Sequence, residues 1–296
     1  MDKELRGIIP ALITPFNNAG RLQEEAFVKN LSFLSQAGVH GFFIAGTTGE
    51  GPYLFTEEIV SMTNLAIKNK KPDQFVCVAS LRPSTEQVLR EIESIQKAGA
   101  DFLVIVPPYY FKQSQETIAA HYETIAANSS VPIIIYDIVQ HTLNYIPLEV
   151  RYHLAQNKKF AGLKDSTGNF QGFSRCVLEK QNVSFKWIQG DDNLYAPSFL
   201  IGADTVVSGL ANIDPKPYLK MYEAALNKDS KTVLEVQKWI FDLLDIVRIG
   251  RGSIHSIKYA LTLLGRNEEW LREKAEILSE TEKNGIKETL TKLNLL

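Results

Sequence analysis

The residue with the clearest chemical potential is Lys164, which ends the apolar run 160–163 (FAGL) and precedes the polar segment 165–168 (DSTG). Burial disfavours the charged ammonium form of a lysine, and the neutral amine is the form that attacks a ketone carbonyl. Lys164 is therefore a candidate for imine formation with a keto substrate. The alternative is an ordinary surface lysine at the end of a strand.

Tyrosines follow two other apolar runs. Tyr136 ends the run that begins at 131 (VPIIIY), and Tyr109 and Tyr110 follow two prolines after the run 101–106. A phenol at such a position can accept and return a proton during a reaction. A buried structural tyrosine is equally common at the end of a strand, and packing or a subunit interface is the usual role of a tyrosine pair.

A short polar loop, GTTGE (46–50), follows the apolar residues 41–45. Glycine lets a backbone approach a ligand closely, and the hydroxyls of Thr47 and Thr48, together with the backbone at Gly46, offer donors to a carboxylate. The loop is not a phosphate-binding P-loop, because the Gly-Lys-Ser/Thr ending is missing. The alternative is a turn that caps a helix.

Eight short apolar runs supply the elements that would position these residues. Most are continuously apolar rather than alternating, which is typical of strands buried on both faces of a parallel sheet. Helical periodicity appears between them, for example over 24–38 and over 85–99, where Ser84 and Thr85 are candidate N-caps. The alternation predicts an α/β fold, a (β/α)8 TIM barrel. The runs span 7–14, 41–46, 75–80, 101–108, 131–137, 160–166, 185–192 and 204–211.

The strand signal stops after residue 214, and four helical segments are expected over 215–227, 231–247, 254–265 and 268–293. One barrel helix is needed there, so the others form an extension. We therefore expect one structural unit, with the barrel core over 1–215 and the last barrel helix plus C-terminal helices over 216–296.

Active sites of such barrels lie at the C-terminal ends of the strands, which makes further residues candidates for substrate contact. A solvated turn is the alternative for the Asp192–Asn193 pair. The five histidines lack the spacing of metal ligands, so no metal site is expected. Beyond Gly46 and Thr48, the candidate substrate-binding residues at these ends are Ser166, Gly190, Asp192, Asn193, Val207 and Ser208.

Composition narrows the class of protein. A formal net charge of −2 without a block of Lys or Arg favours neither a nucleic-acid partner nor a membrane surface. No secretory signal and no apolar run long enough to span a bilayer are evident, so a cytoplasmic location is expected. The two cysteines, Cys77 and Cys176, lie in apolar stretches and are expected to be reduced structural thiols.

Taken in order along the chain, GTTGE, PPYY, the strand-ending Tyr136 and GLKDSTG resemble the dihydrodipicolinate synthase and N-acetylneuraminate lyase family. The resemblance covers the chain from GIIPALITPF to the C-terminal helices and implies a pyruvate-dependent Schiff-base lyase. It implies that Lys164 forms the imine with pyruvate, that Tyr136 shuttles protons and that Thr47 and Thr48 hold the pyruvate carboxylate. Tyr110 matches a tyrosine that reaches across a tight dimer to complete a proton relay with Thr47 and Tyr136.

The same resemblance implies a covalent imine with no other cofactor, pyruvate and a small aldehyde or 2-keto acid as reactants, and a homo-oligomer built as a dimer of dimers, that is, a homotetramer. The residues of a lysine-feedback site are missing from this sequence. At the positions concerned the chain has Gly51, Pro52, Thr56 and Ile59.

Departures from the family pattern concern the second substrate. Dihydrodipicolinate synthases usually follow the strand-five Tyr with Asn-x-Pro-x-Arg, whose arginine holds a carboxylate, whereas Tyr136 here precedes DIVQH and His141 takes the arginine's place. A neutral imidazole is a poor replacement for a bidentate guanidinium, unless another arginine, such as Arg248 or Arg251, reaches in. Neuraminate lyases generally show GSTGE, and an Asp-Glu pair where this chain has Asp192-Asn193.

An aldolase of 2-keto-3-deoxy sugar acids is therefore the favoured activity. Open alternatives are 4-hydroxy-tetrahydrodipicolinate synthase, N-acetylneuraminate lyase, and a keto-acid-binding barrel without turnover. A phosphate-binding barrel isomerase is a weaker alternative, because only SGLA after the eighth run offers a loop for phosphate.

Overall fold

The computed structural model describes residues 3–180, 182, 184–250, 252–273 and 278–296. Eight parallel strands form one sheet in the order β1-β8-β7-β6-β5-β4-β3-β2. A bridge between Ala11 and Phe43 joins the two ends of this order, so the sheet is a nearly closed barrel. The predicted barrel and its eight strands are confirmed. The strands are β1 (Gly7–Pro10), β2 (Gly41–Ile44), β3 (Phe75–Ser80), β4 (Phe102–Ile105), β5 (Ile133–Asp137), β6 (Phe160–Asp165), β7 (Lys186–Gln189) and β8 (Thr205–Ser208).

Helices follow each strand and cover the outside of the barrel. The helix predicted over 85–99 spans Thr85–Lys97, and the Ser84 side chain caps it by accepting a hydrogen bond from the Gln87 backbone N–H. The helices are α1 (Glu24–Ala37), α2 (Thr56–Asn69), α3 (Thr85–Lys97), α4 (Gln115–Asn128), α5 (Val139–Thr142), α6 (Leu148–Ala155), α7 (Phe170–Leu178), α8 (Tyr195–Leu200), α9 (Lys216–Leu226), α10 (Ser230–Ile249), α11 (Ser253–Leu263) and α12 (Glu280–Lys292).

Alternate side chains of each strand belong to two different apolar clusters. On β2, Phe42 packs outward against the helices, whereas Phe43 lies in the barrel interior with Tyr136 of β5. Burial on both faces explains why the strands read as continuous apolar runs. Cys77 lies in the interior cluster and Cys176 in the outer one, and both are buried, free thiols.

The C-terminal helices α9–α12 pack against β1 and β8, with Ile8 and Val206 in their shared apolar cluster. One expected boundary is wrong. The helix predicted over 268–293 begins only at Glu280, where Ser279 and Glu282 form a capping box, and the described residues 268–273 are not helical. Their backbone serves tertiary contacts instead, because the Trp270 carbonyl accepts a hydrogen bond from Lys258.

The division of the chain at residue 215 stays a prediction. No helix in the described ranges has the length and hydropathy required to cross a membrane.

Candidate active site

Lys164 lies at the end of β6 with its side chain inside the barrel mouth, only 5% exposed. Its Nζ is 3.9 Å from the centroid of the Tyr136 ring and 4.6 Å from that of Phe43. Within the described part of the chain, Nζ is found in no ion pair and no hydrogen bond. Aromatic rings therefore line the amine, and no carboxylate of the described residues pairs with it.

Two hydroxyl groups, those of Tyr136 and Thr47, complete the cluster around the amine. Tyr136 and Lys164 are direct neighbours in the β5–β6 register. The Tyr136 phenol is 3.3 Å from Thr47 Oγ1, within hydrogen-bond distance. Amine, phenol and hydroxyl thus form one contiguous group, although they come from three strand ends that lie far apart in the sequence.

The loop that carries Thr47 and Thr48 is shaped by its backbone conformation and held by a hydrogen bond from Thr14. Ala45 and Glu50 both adopt left-handed φ angles, 56° and 57°, which reverse the chain on either side of the threonines. The Thr14 hydroxyl donates to the Gly49 carbonyl at 2.6 Å. Such strained conformations persist where the surroundings fix them, and they cluster at functional sites.

Gly190 leaves the space that the lysine occupies. A Cβ at this position would lie 2.8 Å from Lys164 Cε and 2.1 Å from Ser166 Oγ. Any larger residue would displace both side chains, so glycine after β7 is required by the close approach. The structure thus places Ser166 and Gly190 beside Lys164.

Among the polar residues after β7 and β8, Asp192 and Ser208 bond to each other, whereas Asn193 bonds within its own turn. Asp192 Oδ1 accepts hydrogen bonds from Ser208 Oγ at 2.6 Å and from the Tyr218 phenol at 3.1 Å. Burial, partly offset by these donors, raises the pKa of Asp192 to about 6. Asn193 is exposed and bonds locally to Asp191 Oδ1 at 2.8 Å.

Val207 is buried in the barrel interior. Its carbonyl accepts a hydrogen bond from Tyr195 at 2.9 Å.

Comparisons with known proteins agree with this geometry. The family model described as the dihydrodipicolinate synthetase family matches residues 4–293. The chain belongs to this family. It is 34% identical to the 4-hydroxy-tetrahydrodipicolinate synthase of Bartonella bacilliformis, over 99% of each chain. A crystal structure of dihydrodipicolinate synthase from Aquifex aeolicus superposes with a TM-score of 0.92, at 30% identity, covering 98% of this chain and 99% of that one.

Membership establishes the class of chemistry. The chain is a lyase of the class I type, in which a lysine–pyruvate imine carries the reaction without a metal or other cofactor. The names of the relatives give no support to the favoured sugar-acid substrate, and they agree with the synthase alternative. No group of three or more potential metal ligands occurs in the described residues.

Family membership gives Tyr110 particular interest, because its side chain projects away from the rest of this chain. It is 76% exposed, has a φ of 80°, and its ring lies edge-on to that of Phe111 at 5.0 Å. Among the described residues, no hydrogen bond joins it to the Thr47–Tyr136 pair. Oligomeric state differs within the family, since a dihydrodipicolinate synthase variant described as monomeric superposes with a TM-score of 0.93, at 25% identity, over 99% of this chain and 98% of that one.

His141 is exposed on α5, which follows β5 at the mouth of the barrel. The neighbouring Gln140 donates to the carbonyls of Ser166 and Thr167, which holds α5 across the end of β6. Arg248 is paired with Asp245 at 2.9 Å on the surface of α10, and Arg251 lies outside the described residues.

Glu50, the last residue of GTTGE, has a role that the sequence did not suggest. It is buried and pairs with Lys258 of α11 at 2.5 Å, while its other oxygen accepts the Arg272 backbone N–H at 2.9 Å. Burial, partly offset by Glu50, lowers the pKa of Lys258 to about 8. Glu50 therefore anchors the threonine loop to the C-terminal extension. The sequence gives only a weak signal for this role of Glu50, because its partner Lys258 lies 208 positions further along the chain.

Proposed function

We propose that Lys164 forms an imine with pyruvate and that the chain makes or breaks the carbon–carbon bond next to that imine. The observation that carries the proposal is the unpaired amine of Lys164 against the ring of Tyr136, with the phenol of Tyr136 in reach of Thr47. An imine is an electron sink, so C3 of pyruvate can lose a proton and become a nucleophilic enamine.

Each group then has a defined task. The neutral amine attacks the pyruvate ketone, and water leaves as the imine forms. Thr48 and the backbone of the loop at Gly46 bind the carboxylate. Tyr136 accepts the C3 proton and returns a proton to the oxygen of the incoming aldehyde, while Thr47 holds the phenol in place. In the reverse direction a 2-keto acid is cleaved to pyruvate and an aldehyde.

We favour an uncharged, hydroxylated aldehyde as the second reactant, and thus a 2-keto-3-deoxy sugar acid as the product of condensation. A carboxylate-bearing aldehyde needs a cation, and the family's arginine is replaced by His141. The arginine considered for that role within the described ranges, Arg248, is already paired. Asp192 Oδ1 already accepts from Ser208 and Tyr218, so a contact of this carboxylate with substrate hydroxyls stays a prediction.

The second candidate function is 4-hydroxy-tetrahydrodipicolinate synthase. It is favoured by the names of relatives that share 34% and 32% identity over nearly the whole chain. The two candidates require different aldehydes, so competition between aspartate semialdehyde and glyceraldehyde separates them.

Borohydride reduction with pyruvate tests the proposal. The wild-type protein should gain the mass of one reduced pyruvate adduct, and Lys164→Ala should gain none while retaining its fold. Lys186→Ala is the matched control, because Lys186 lies on neighbouring β7 in a partly exposed pair with Asp204 and should leave trapping unchanged. An adduct on the Lys164→Ala protein would show that another lysine reacts, and no adduct on wild type would favour a barrel without turnover.

A further inference from the structure

An ionic cluster lies on the outer face of the β5–β6 pair. Asp137 on β5 and Asp165 on β6 are neighbours in register, and both are buried. They flank the guanidinium of Arg151 on α6, whose Nη2 is 2.7 Å from Asp137 Oδ2 and whose Nη1 is 2.8 Å from Asp165 Oδ2. Arg151 Nε also donates to the Ile146 carbonyl at 2.9 Å. The guanidinium thus joins the ends of two adjacent strands.

The reactive groups stand one residue earlier on the same strands. Tyr136 and Lys164 are register neighbours as well. Because side chains alternate along a strand, Tyr136 and Lys164 face the barrel interior while Asp137 and Asp165 face α6. The ionic cluster therefore lies directly behind the phenol and the amine, where it links β5 to β6.

The cluster contains two acids and one base. Asp165 Oδ1 accepts hydrogen bonds from the backbone and hydroxyl of Thr167. Asp137 Oδ2 accepts a second hydrogen bond from the Ile146 backbone N–H at 3.1 Å, but Asp137 Oδ1 is buried without a partner among the described residues. An ionised oxygen buried without a donor is costly. Burial, partly offset by Arg151, raises the pKa of Asp137 to about 7.

The other groups that face the cluster are neutral near pH 7. The Tyr145 ring lies 4.9 Å from Arg151, and burial raises its pKa. Burial likewise raises the pKa of Tyr122 on α4 and of Cys176 on α7. Within the described ranges Arg151 is the only cation paired with Asp137. Among these groups, Asp137 has the pKa nearest to neutral pH.

We propose that Asp137 is a positioning residue for the imine chemistry, because its ionisation strengthens the contact with Arg151 and so fixes Tyr136 against Lys164. The inference rests on the proposed function, since it requires Lys164 and Tyr136 to act on pyruvate. A charge-assisted hydrogen bond is stronger and shorter than a neutral one, so the ionised cluster holds the two strands more tightly.

Exchange of the C3 protons of pyruvate with solvent deuterium tests the inference, because it needs no aldehyde. In wild type we expect the exchange rate to rise about fivefold as pH increases through 7, the difference between a neutral and a charge-assisted hydrogen bond. Asp137→Asn should remain at the lower rate throughout, without the inflection and with an unchanged KM for pyruvate. Asp229→Asn, an exposed N-cap of α10, should keep the wild-type profile.

A second variant keeps the test decisive if Asp137→Asn fails to fold. The charge of Asp165 raises the pKa of Asp137, so Asp165→Asn should move the inflection to lower pH. An Asp137→Asn profile identical to wild type, or an unmoved inflection in Asp165→Asn, overturns the inference. Wild type that neither exchanges protons nor traps pyruvate refutes the proposed function instead, and the two failures are thereby distinguished.

Stability gives an independent readout. Native Asp137 keeps a proton that the unfolded chain loses above an ordinary pKa of 3.8, so wild-type stability falls as pH rises from about 4 to about 7. Asp137→Asn removes this fall. The melting temperature of Asp137→Asn minus that of wild type should therefore increase from pH 5 to pH 8. A difference that does not change with pH would contradict the ionisation of Asp137 in this range.

Discussion

We expect selection of the aldehyde to turn on His141, which takes the place of the arginine that the resemblance to dihydrodipicolinate synthases assigns to a carboxylate. An ion-paired hydrogen bond contributes about 1.5–3 kcal/mol, roughly 10- to 150-fold in affinity, and an imidazole lacks the bidentate fork of a guanidinium. We expect kcat/KM at pH 7.5 to be higher for glyceraldehyde than for aspartate semialdehyde. His141→Arg should raise the semialdehyde value by roughly tenfold or more.

His141→Gln is the control for this change, because it keeps an uncharged donor and should preserve the preference for glyceraldehyde. A wild-type preference of about tenfold or more for the semialdehyde would make 4-hydroxy-tetrahydrodipicolinate synthase the function. That outcome would leave the assignment of Lys164 intact, because both aldehydes react with the same enamine.

At the scale of elements, the threonine loop depends on α11 through the buried pair of Glu50 and Lys258. Lys258→Met leaves the Glu50 carboxylate buried without its cation, which costs about 3–5 kcal/mol in comparable cases. We expect a lower free energy of unfolding in urea and a higher KM for pyruvate, because Thr47 and Thr48 precede Glu50 in the same loop.

The double variant Glu50→Gln/Lys258→Met separates charge from packing, and it should recover most of the lost stability because no isolated charge remains. Lys97→Met, which removes an exposed ion pair with Glu93 on α3, should change neither quantity. Equal losses in the single and double variants would show that the aliphatic stem of Lys258, rather than its charge, supports the loop.

For the whole molecule, we expect a partner subunit to complete the site through Tyr110, whose ring is 76% exposed on its own chain. Tyr110→Ala and Lys164→Ala should each be inactive alone. Mixed after dissociation, they should recover about a quarter of wild-type activity, because half of randomly paired dimers carry one complete site. No recovery, despite mixed dimers seen by native mass spectrometry, would place Tyr110 outside the relay.

The sequence by itself determined the barrel and the position of Lys164. Strands buried on both faces leave continuous apolar runs, and these are visible without any partner. Because barrel sites form at the strand ends, Lys164 and Tyr136 could be assigned to one mouth from their places at the ends of β6 and β5 alone. The local capping residue Ser84 likewise gave the start of α3 directly.

Only the tertiary structure decided what holds those residues in place. In the sequence, Arg151 and Lys258 look like ordinary exposed charges on helices. In the structure, both are buried and paired with carboxylates. α12 starts at Glu280 rather than at 268, with the Ser279–Glu282 capping box at its start, while the Trp270 carbonyl accepts a hydrogen bond from Lys258. Hydrophobic periodicity in the sequence indicates which face of a segment is buried, but an ion pair between positions 208 residues apart produces no periodic pattern. Such contacts exist only once the chain has folded.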